Sequence, residues 1–157
     1  MQNKIKVIFI CHGNICRSPM AEFVFKDMLQ KENLADCFHV ESAATSTEEL
    51  GNPVHYGTAR ILDRLGIDYS RKRARQMSKK DYQEYDYLIG MDHWNMRNMN
   101  RFADGDPDGK LFMLLSFTDR PGEVADPWYT GNFEATYRDV VEGCEGLLHY
   151  LREQGKI

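Results

Sequence analysis

The chain has 157 residues, a formal charge of −4 and an apolar fraction of 42 %. One domain spanning 1–157 is expected, long enough to bury about two thirds of its unfolded surface, and the acidic balance argues against a general nucleic-acid binder. No segment approaches the ~18 apolar residues of a membrane span, and Met1 to Lys6 lacks the apolar stretch of a signal peptide, so a soluble cytoplasmic protein is the expectation.

Ile5 to Ile10, broken only by Lys6, reads as a short buried strand, and Met20 to Leu29 reads as a helix. Between them lies Cys11-His12-Gly13-Asn14-Ile15-Cys16-Arg17-Ser18-Pro19. Further along, Cys37 to Ala44 alternates as a second strand, and Gly51-Asn52-Pro53 marks a turn. Thr58, Ile61, Leu62 and Leu65 recur at helical spacing before a stop at Gly66. The basic run from Ser70 to Gln76 reads as a solvated surface. Asp86 to Met91 is a third strand, Asp92 caps a short helix through Met99, and Arg101 to Lys110 is a polar loop. Leu111 to Leu115 is a fourth strand whose lack of alternation predicts burial on both faces. Phe133, Tyr137, Val140, Cys144, Leu147 and Leu151 form the stripe of a long amphipathic helix despite Gly143 and Gly146, which puts Cys144 in the core. Strands separated by helices predict a parallel sheet covered on both faces, with ligands bound beyond the carboxyl ends of its strands.

The segment from Cys11 to Pro19 sits at such an edge. Backbone N–H groups of a tight strand-to-helix turn converge on one point, where the helix adds partial positive charge. Gly13 and Asn14 tolerate the left-handed backbone that such a nest needs. Arg17 supplies a permanently charged fork matched to two phosphate oxygens. A cysteine ending a strand is usually a small buried hydrophobe. The combination with Gly-Asn, Arg-Ser and a proline at the helix start favours instead a thiolate, Cys11, facing a bound oxyanion.

Cys11-x5-Arg17-Ser18 after an amino-terminal strand, together with Asp126-Pro127-Trp128-Tyr129 near the carboxyl end, resembles the low-molecular-weight protein tyrosine phosphatases over the whole chain. The resemblance implies a three-layer, doubly wound, four-stranded parallel sheet in the order 2-1-3-4, with the phosphate loop after the first strand. It also implies a two-step hydrolysis of phosphotyrosine through a cysteinyl-phosphate, with Cys11 as nucleophile, Arg17 and the loop His12, Gly13, Asn14, Ile15, Cys16 and Ser18 binding the phosphate, and Asp126 as general acid. Ser18 would hydrogen-bond the thiolate, although spacing alone leaves it an ordinary hydroxyl early in a helix. Trp128 and Tyr129 would form one wall of the substrate cleft. Where the family often has a second aromatic wall, this chain has Glu48-Glu49, which disfavours acidic sequence around the phosphotyrosine. Ser42 would support Asn14, and Lys72 stands where a histidine is common, able to donate but not to accept a hydrogen bond. By the same resemblance, Cys11 and Cys16 can close a reversible disulfide that shields the nucleophile.

No cofactor follows from this reading. The four cysteines, Cys11, Cys16, Cys37 and Cys144, contain no Cys-x2-Cys pair, so no metal site is expected. The expected partner is a phosphotyrosine-containing protein or peptide substrate, with no nucleic acid and no membrane, and the chain is expected to be a monomer, with weak self-association left open. His39, His55, His93 and His149 receive no role; Asp81 and Asp92 resemble family positions near the site, but capping suffices to explain them. The alternatives are a protein arginine phosphatase of the same fold, whose relatives typically carry Thr where this chain has Ile15, a phosphocysteine relay, which would need neither Arg17 nor Asp126, and a phosphate-binding module, which has no use for a reactive Cys11. An arsenate reductase would need further cysteines between Tyr69 and Met91, and there are none.

Overall fold

The computed structural model describes residues 3–157. Four parallel strands, β1 (Ile5–Cys11), β2 (Phe38–Ala44), β3 (Tyr87–Gly90) and β4 (Leu111–Met113), lie in the order β2-β1-β3-β4. Cys11 pairs with Ala44, Ile10 with Gly90 and Gly90 with Met113, so the carboxyl ends of all four strands share one edge. The helices are α1 (Arg17–Lys31), α2 (Tyr56–Arg64), α3 (Lys79–Glu84), α4 (His93–Ala103), α5 (Pro127–Thr130) and α6 (Phe133–Glu153).

Strand alternation divides the core in two. Val7, Phe9, Val40 and Ile89 point to the face covered by α1 and α6, where they meet Phe25, Val24, Val140, Cys144 and Leu147. Ile8, Ile10 and Leu88 point to the opposite face, against Tyr82 of α3 and Met99 and Ala103 of α4. The doubly wound sheet in the order 2-1-3-4 is therefore as expected, and Cys144 is fully buried core. Among the described residues no helix is long and apolar enough to cross a membrane.

Two local expectations need correction, and one helix was not anticipated. The fourth strand ends at Met113 and is half-buried, because the chain turns into a 3-10 helix at Leu114–Phe117 that drives Leu114 and Leu115 into the core. The unalternating apolar run thus marks a change of backbone geometry rather than a strand covered on both sides. Gly143 and Gly146 of α6 admit that turn: a Cβ on Gly143 would stand 2.4 Å from Leu114, and one on Gly146 would stand 2.4 Å from the carbonyl oxygen of Phe117. Helix α4 continues through Arg101–Ala103, where the loop was expected, because Ala103 still packs on the core and Asp104 ends the helix in the left-handed region at φ 49°. Ser78 starts α3, which the hydrophobic pattern alone does not announce, through a reciprocal capping box with Asp81.

Candidate active site

β1 delivers Cys11 to the carboxyl edge of the sheet, and α1 begins at Arg17, so residues 12–16 fold tightly over the end of the strand. Asn14 takes the left-handed backbone at φ 61°. Several carbonyls of this stretch are engaged: Cys11 accepts from the Thr45 N–H at 3.0 Å, His12 from the Ser46 N–H at 3.1 Å, and Ile15 from the His55 N–H at 2.9 Å. The N–H groups of residues 12–16 have no acceptor among the described residues, which leaves a cradle of donors for an anion.

Cys11 Sγ lies 3.0 Å from Ser18 Oγ, and the Ser18 N–H donates to the same sulfur at 3.4 Å. Arg17, only 2 % exposed, donates from Nη1 to Asp92 Oδ2 (2.8 Å) and to the Val124 carbonyl (2.9 Å), and from Nη2 to Asp126 Oδ2 (3.4 Å). Burial works against the Arg17 charge, but the neighbouring Cys11, Asp92 and Asp126 more than offset it and hold the guanidinium above its ordinary pKa. Asp126 caps α5, accepting from the Trp128 N–H at 3.0 Å, so Trp128 and Tyr129 project beside the acid. They are 60 % and 85 % exposed, and they face Glu48 and Glu49 across a cleft of about 310 Å³ with Cys11 and Arg17 in its lining. His12 crosses the mouth, with Nε2 2.8 Å from Glu48 Oε2. Cys16 lines the same cleft. Burial, and then the neighbouring Cys11 and Asp126, push its thiol up to about 12.

Beneath the loop, Asn14 Nδ2 donates to Ser18 Oγ (2.7 Å) and Ser42 Oγ (3.0 Å), and the Arg75 N–H donates to Asn14 Oδ1 (3.2 Å). Ser42 donates to buried Glu22 at 2.6 Å. Lys72 does not reach Asn14 directly. Its ammonium donates to the Ser42 carbonyl at 2.8 Å and stands 3.7 Å from Glu22, and burial pulls its pKa below the ordinary lysine range. The basic run is likewise more than a solvated face, since Lys72 packs inward and Gln76 pairs with the end of β2 at Ala44.

The structure thus gathers Cys11, Arg17, Ser18, Asp126, Trp128 and Tyr129 around one cleft, with Asn14 and Ser42 directly behind it. Sequence reasoning missed Glu22 and the Arg75 N–H, and it set Asp92 aside as a cap although the position resembles one near the family's site. Asp92 was legible as a cap, and nothing local signals that its second oxygen holds Arg17. It also missed His55, which caps α2, stacks on Phe133 with ring centroids 5.2 Å apart and meets the edge of Trp128 at 5.7 Å. Among the described residues no three His, Cys, Asp or Glu side chains gather as metal ligands would.

A thiol on the floor of an anion cradle, with a buried arginine and a carboxylic acid converging above it, defines a cysteine-based phosphoryl-transfer site. The model of the family described as low molecular weight phosphotyrosine protein phosphatase matches residues 6–157, and the chain belongs to that family. It is 38 % identical to the low molecular weight protein-tyrosine-phosphatase YfkJ of Bacillus subtilis over 155 residues, 98 % of this chain and 99 % of that one. The crystal structure of YfkJ superposes with a TM-score of 0.93, covering 97 % of both chains. SP-PTP, a low molecular weight protein tyrosine phosphatase from Streptococcus pyogenes, is 43 % identical with a TM-score of 0.84, covering 94 % of this chain and 93 % of that one. DARP, a Drosophila arginine phosphatase, is 29 % identical with a TM-score of 0.85, covering 93 % and 97 %.

Proposed function

We propose that this chain hydrolyses phosphotyrosine in protein or peptide substrates, acting in the cytoplasm as a monomer and drawing on no cofactor. The observation that carries this reading is the convergence of Cys11, Arg17 and Asp126 on one cleft whose wall is aromatic. The Cys11 thiolate attacks phosphorus in line with the ester bond. As the S–P bond forms and the P–O bond breaks, Asp126 gives its proton to the departing phenolate oxygen. Water then attacks the cysteinyl-phosphate, Asp126 takes its proton, the S–P bond breaks and inorganic phosphate leaves. Arg17 and the N–H groups of residues 12–16 hold the equatorial oxygens through both steps, and their grip is best in the transition state. The Ser18 hydroxyl stabilises the thiolate as attacking and as leaving group. Trp128 and Tyr129 flank the substrate ring.

Phosphoarginine is the second reading. DARP shares the fold, and the carboxylates of Glu48 and Glu49 at the mouth suit a cationic leaving group. Ile15, where arginine-specific relatives typically have Thr, and the aryl wall at Trp128 weigh toward tyrosine. Release of inorganic phosphate from phosphotyrosine, phosphoarginine and phosphoserine peptides, with Cys11→Ser as control, decides between them. Tyrosine-selective turnover lost in Cys11→Ser supports the reading, arginine selectivity replaces it with the second, and no turnover leaves a relay or binding module.

A further inference from the structure

The hydrogen bonds behind the catalytic loop have a direction, and that direction is set outside the cleft. An asparagine amide can face its neighbours in two senses. The Arg75 N–H, a donor, faces one end of the Asn14 amide at 3.2 Å, so that end is the oxygen and Nδ2 faces Ser18 and Ser42. Ser42 has already given its proton to Glu22 and has none for Asn14. Ser18, accepting from Asn14, keeps its single proton for Cys11 Sγ at 3.0 Å, with the Ala43 carbonyl a more distant acceptor at 3.5 Å. With the amide reversed, an oxygen would face Ser18, and the hydroxyl would turn toward it and away from the sulfur.

Arg75 is held on two sides. Its carbonyl accepts from the Ala44 N–H at 2.7 Å, which fixes residues 74–77 along the end of β2. Its guanidinium makes a two-pronged pair with Asp81, at 3.0 and 3.2 Å, and stands 3.9 Å from Glu41. Asp81 is 5 % exposed and is itself fixed by the Ser78 N–H at 2.8 Å as α3 begins. Arg73, two residues earlier, reaches only nearby carbonyls. A guanidinium forked onto a rigid carboxylate fixes distance and plane together, which a solvated surface pair does not do.

We propose that Arg75, locked by Asp81, is a positioning residue that orients Asn14 and through it directs the Ser18 hydroxyl at the Cys11 thiolate. Neither residue of the pair lines the cleft. The proposal extends beyond the choice of substrate, because it concerns the state of the nucleophile whichever phosphoryl group is attacked.

The test uses Arg75→Ala, Asp81→Asn and Arg75→Lys, with kcat and KM for para-nitrophenyl phosphate and the pH profile of Cys11 alkylation by iodoacetate. Alkylation reads the thiolate without any turnover, so a wrong substrate assignment leaves this arm intact. In Arg75→Ala and Asp81→Asn, kcat is expected to fall roughly three- to tenfold with KM within about twofold, and the midpoint of alkylation to move to higher pH. Arg75→Lys is expected to recover part of both, because an ammonium still meets Asp81 as a point charge. Should Arg75→Ala fail to fold, Asp81→Asn and Arg75→Lys carry the same comparison. An alkylation midpoint unmoved in folded Asp81→Asn and in whichever Arg75 variant folds overturns the proposal, even if melting temperatures fall.

Discussion

Arg17 Nη1 lies 2.8 Å from Asp92 Oδ2, while the other oxygen of the same carboxylate accepts the Asn95 N–H at 2.7 Å and starts α4. One residue just beyond β3 thus caps a helix and holds the Arg17 guanidinium. The two duties separate by substitution. Asp92→Asn keeps a good cap but loses the charge facing Arg17, so melting should stay near wild type while kcat/KM falls about tenfold. Asp92→Ala should add a loss of ~1 kcal/mol in stability from the missing cap. Equal activity in wild type and Asp92→Asn would show that the Asp92 charge is not needed to orient Arg17, the Val124 carbonyl and Asp126 sufficing.

Asp126 is 3.4 Å from Arg17 Nη2 and 24 % exposed, close enough to the cleft to pass a proton and open enough to exchange it. Asp126→Ala should still give a rapid burst of phenol from an activated aryl phosphate, which needs little protonation. Steady turnover of phosphotyrosine should fall by ~10²–10⁴-fold. Unchanged turnover of both substrates would remove Asp126 from the acid–base role.

Glu48 and Glu49 give the mouth of the cleft a negative lip, with the His12 ring hydrogen-bonded to Glu48. Phosphotyrosine peptides with basic flanks should be cleaved about two- to fivefold faster than acidic ones in kcat/KM at low salt, with the difference shrinking as ionic strength rises. Glu48→Lys should reverse the order. A peptide panel read at two salt concentrations checks both statements, and a preference indifferent to Glu48→Lys would place the selection elsewhere.

Cys16 sits in the same tight loop as the nucleophile, yet its thiol is held up near 12. Iodoacetamide at neutral pH should therefore modify Cys11 and spare Cys16, a result that mass spectrometry reads directly. The folded chain keeps the Cys16 proton to higher pH than the unfolded chain does. Its contribution to stability is accordingly complete below the ordinary thiol range and is lost as pH climbs toward 12. Buried Cys144 acts in the same direction, so Cys16→Ser should lessen the alkaline decline without abolishing it. After mild peroxide, activity should return on reduction in wild type and stay lost in Cys16→Ser. Irreversible loss in both would dismiss the protective disulfide.

Much of the site was legible because its parts are adjacent in sequence. Cys11, Asn14, Arg17 and Ser18 are joined by a strand end, a left-handed residue and a helix start, and those local signals survive without any tertiary information. The two glycines in α6 show the opposite case. Their cost to a helix is visible in the sequence, but the 3-10 turn at Leu114–Phe117 that occupies the space where a Cβ would stand is not.

By itself the sequence determined the alternation of strands and helices, the turn after β1 and the residue types for nucleophilic attack on phosphorus. Periodicity and turn chemistry act over a few residues, and these features need no more, whereas the acid role of Asp126 was implied only by the family resemblance. Only the tertiary structure decided that Asp92 grips Arg17 across 75 positions, that Lys72 serves the Ser42 carbonyl rather than Asn14, and that a backbone N–H at Arg75 orients the amide behind the nucleophile. Each is a hydrogen bond between segments brought together by the sheet order, and hydrogen bonding demands a distance and an angle that no spacing along a chain specifies.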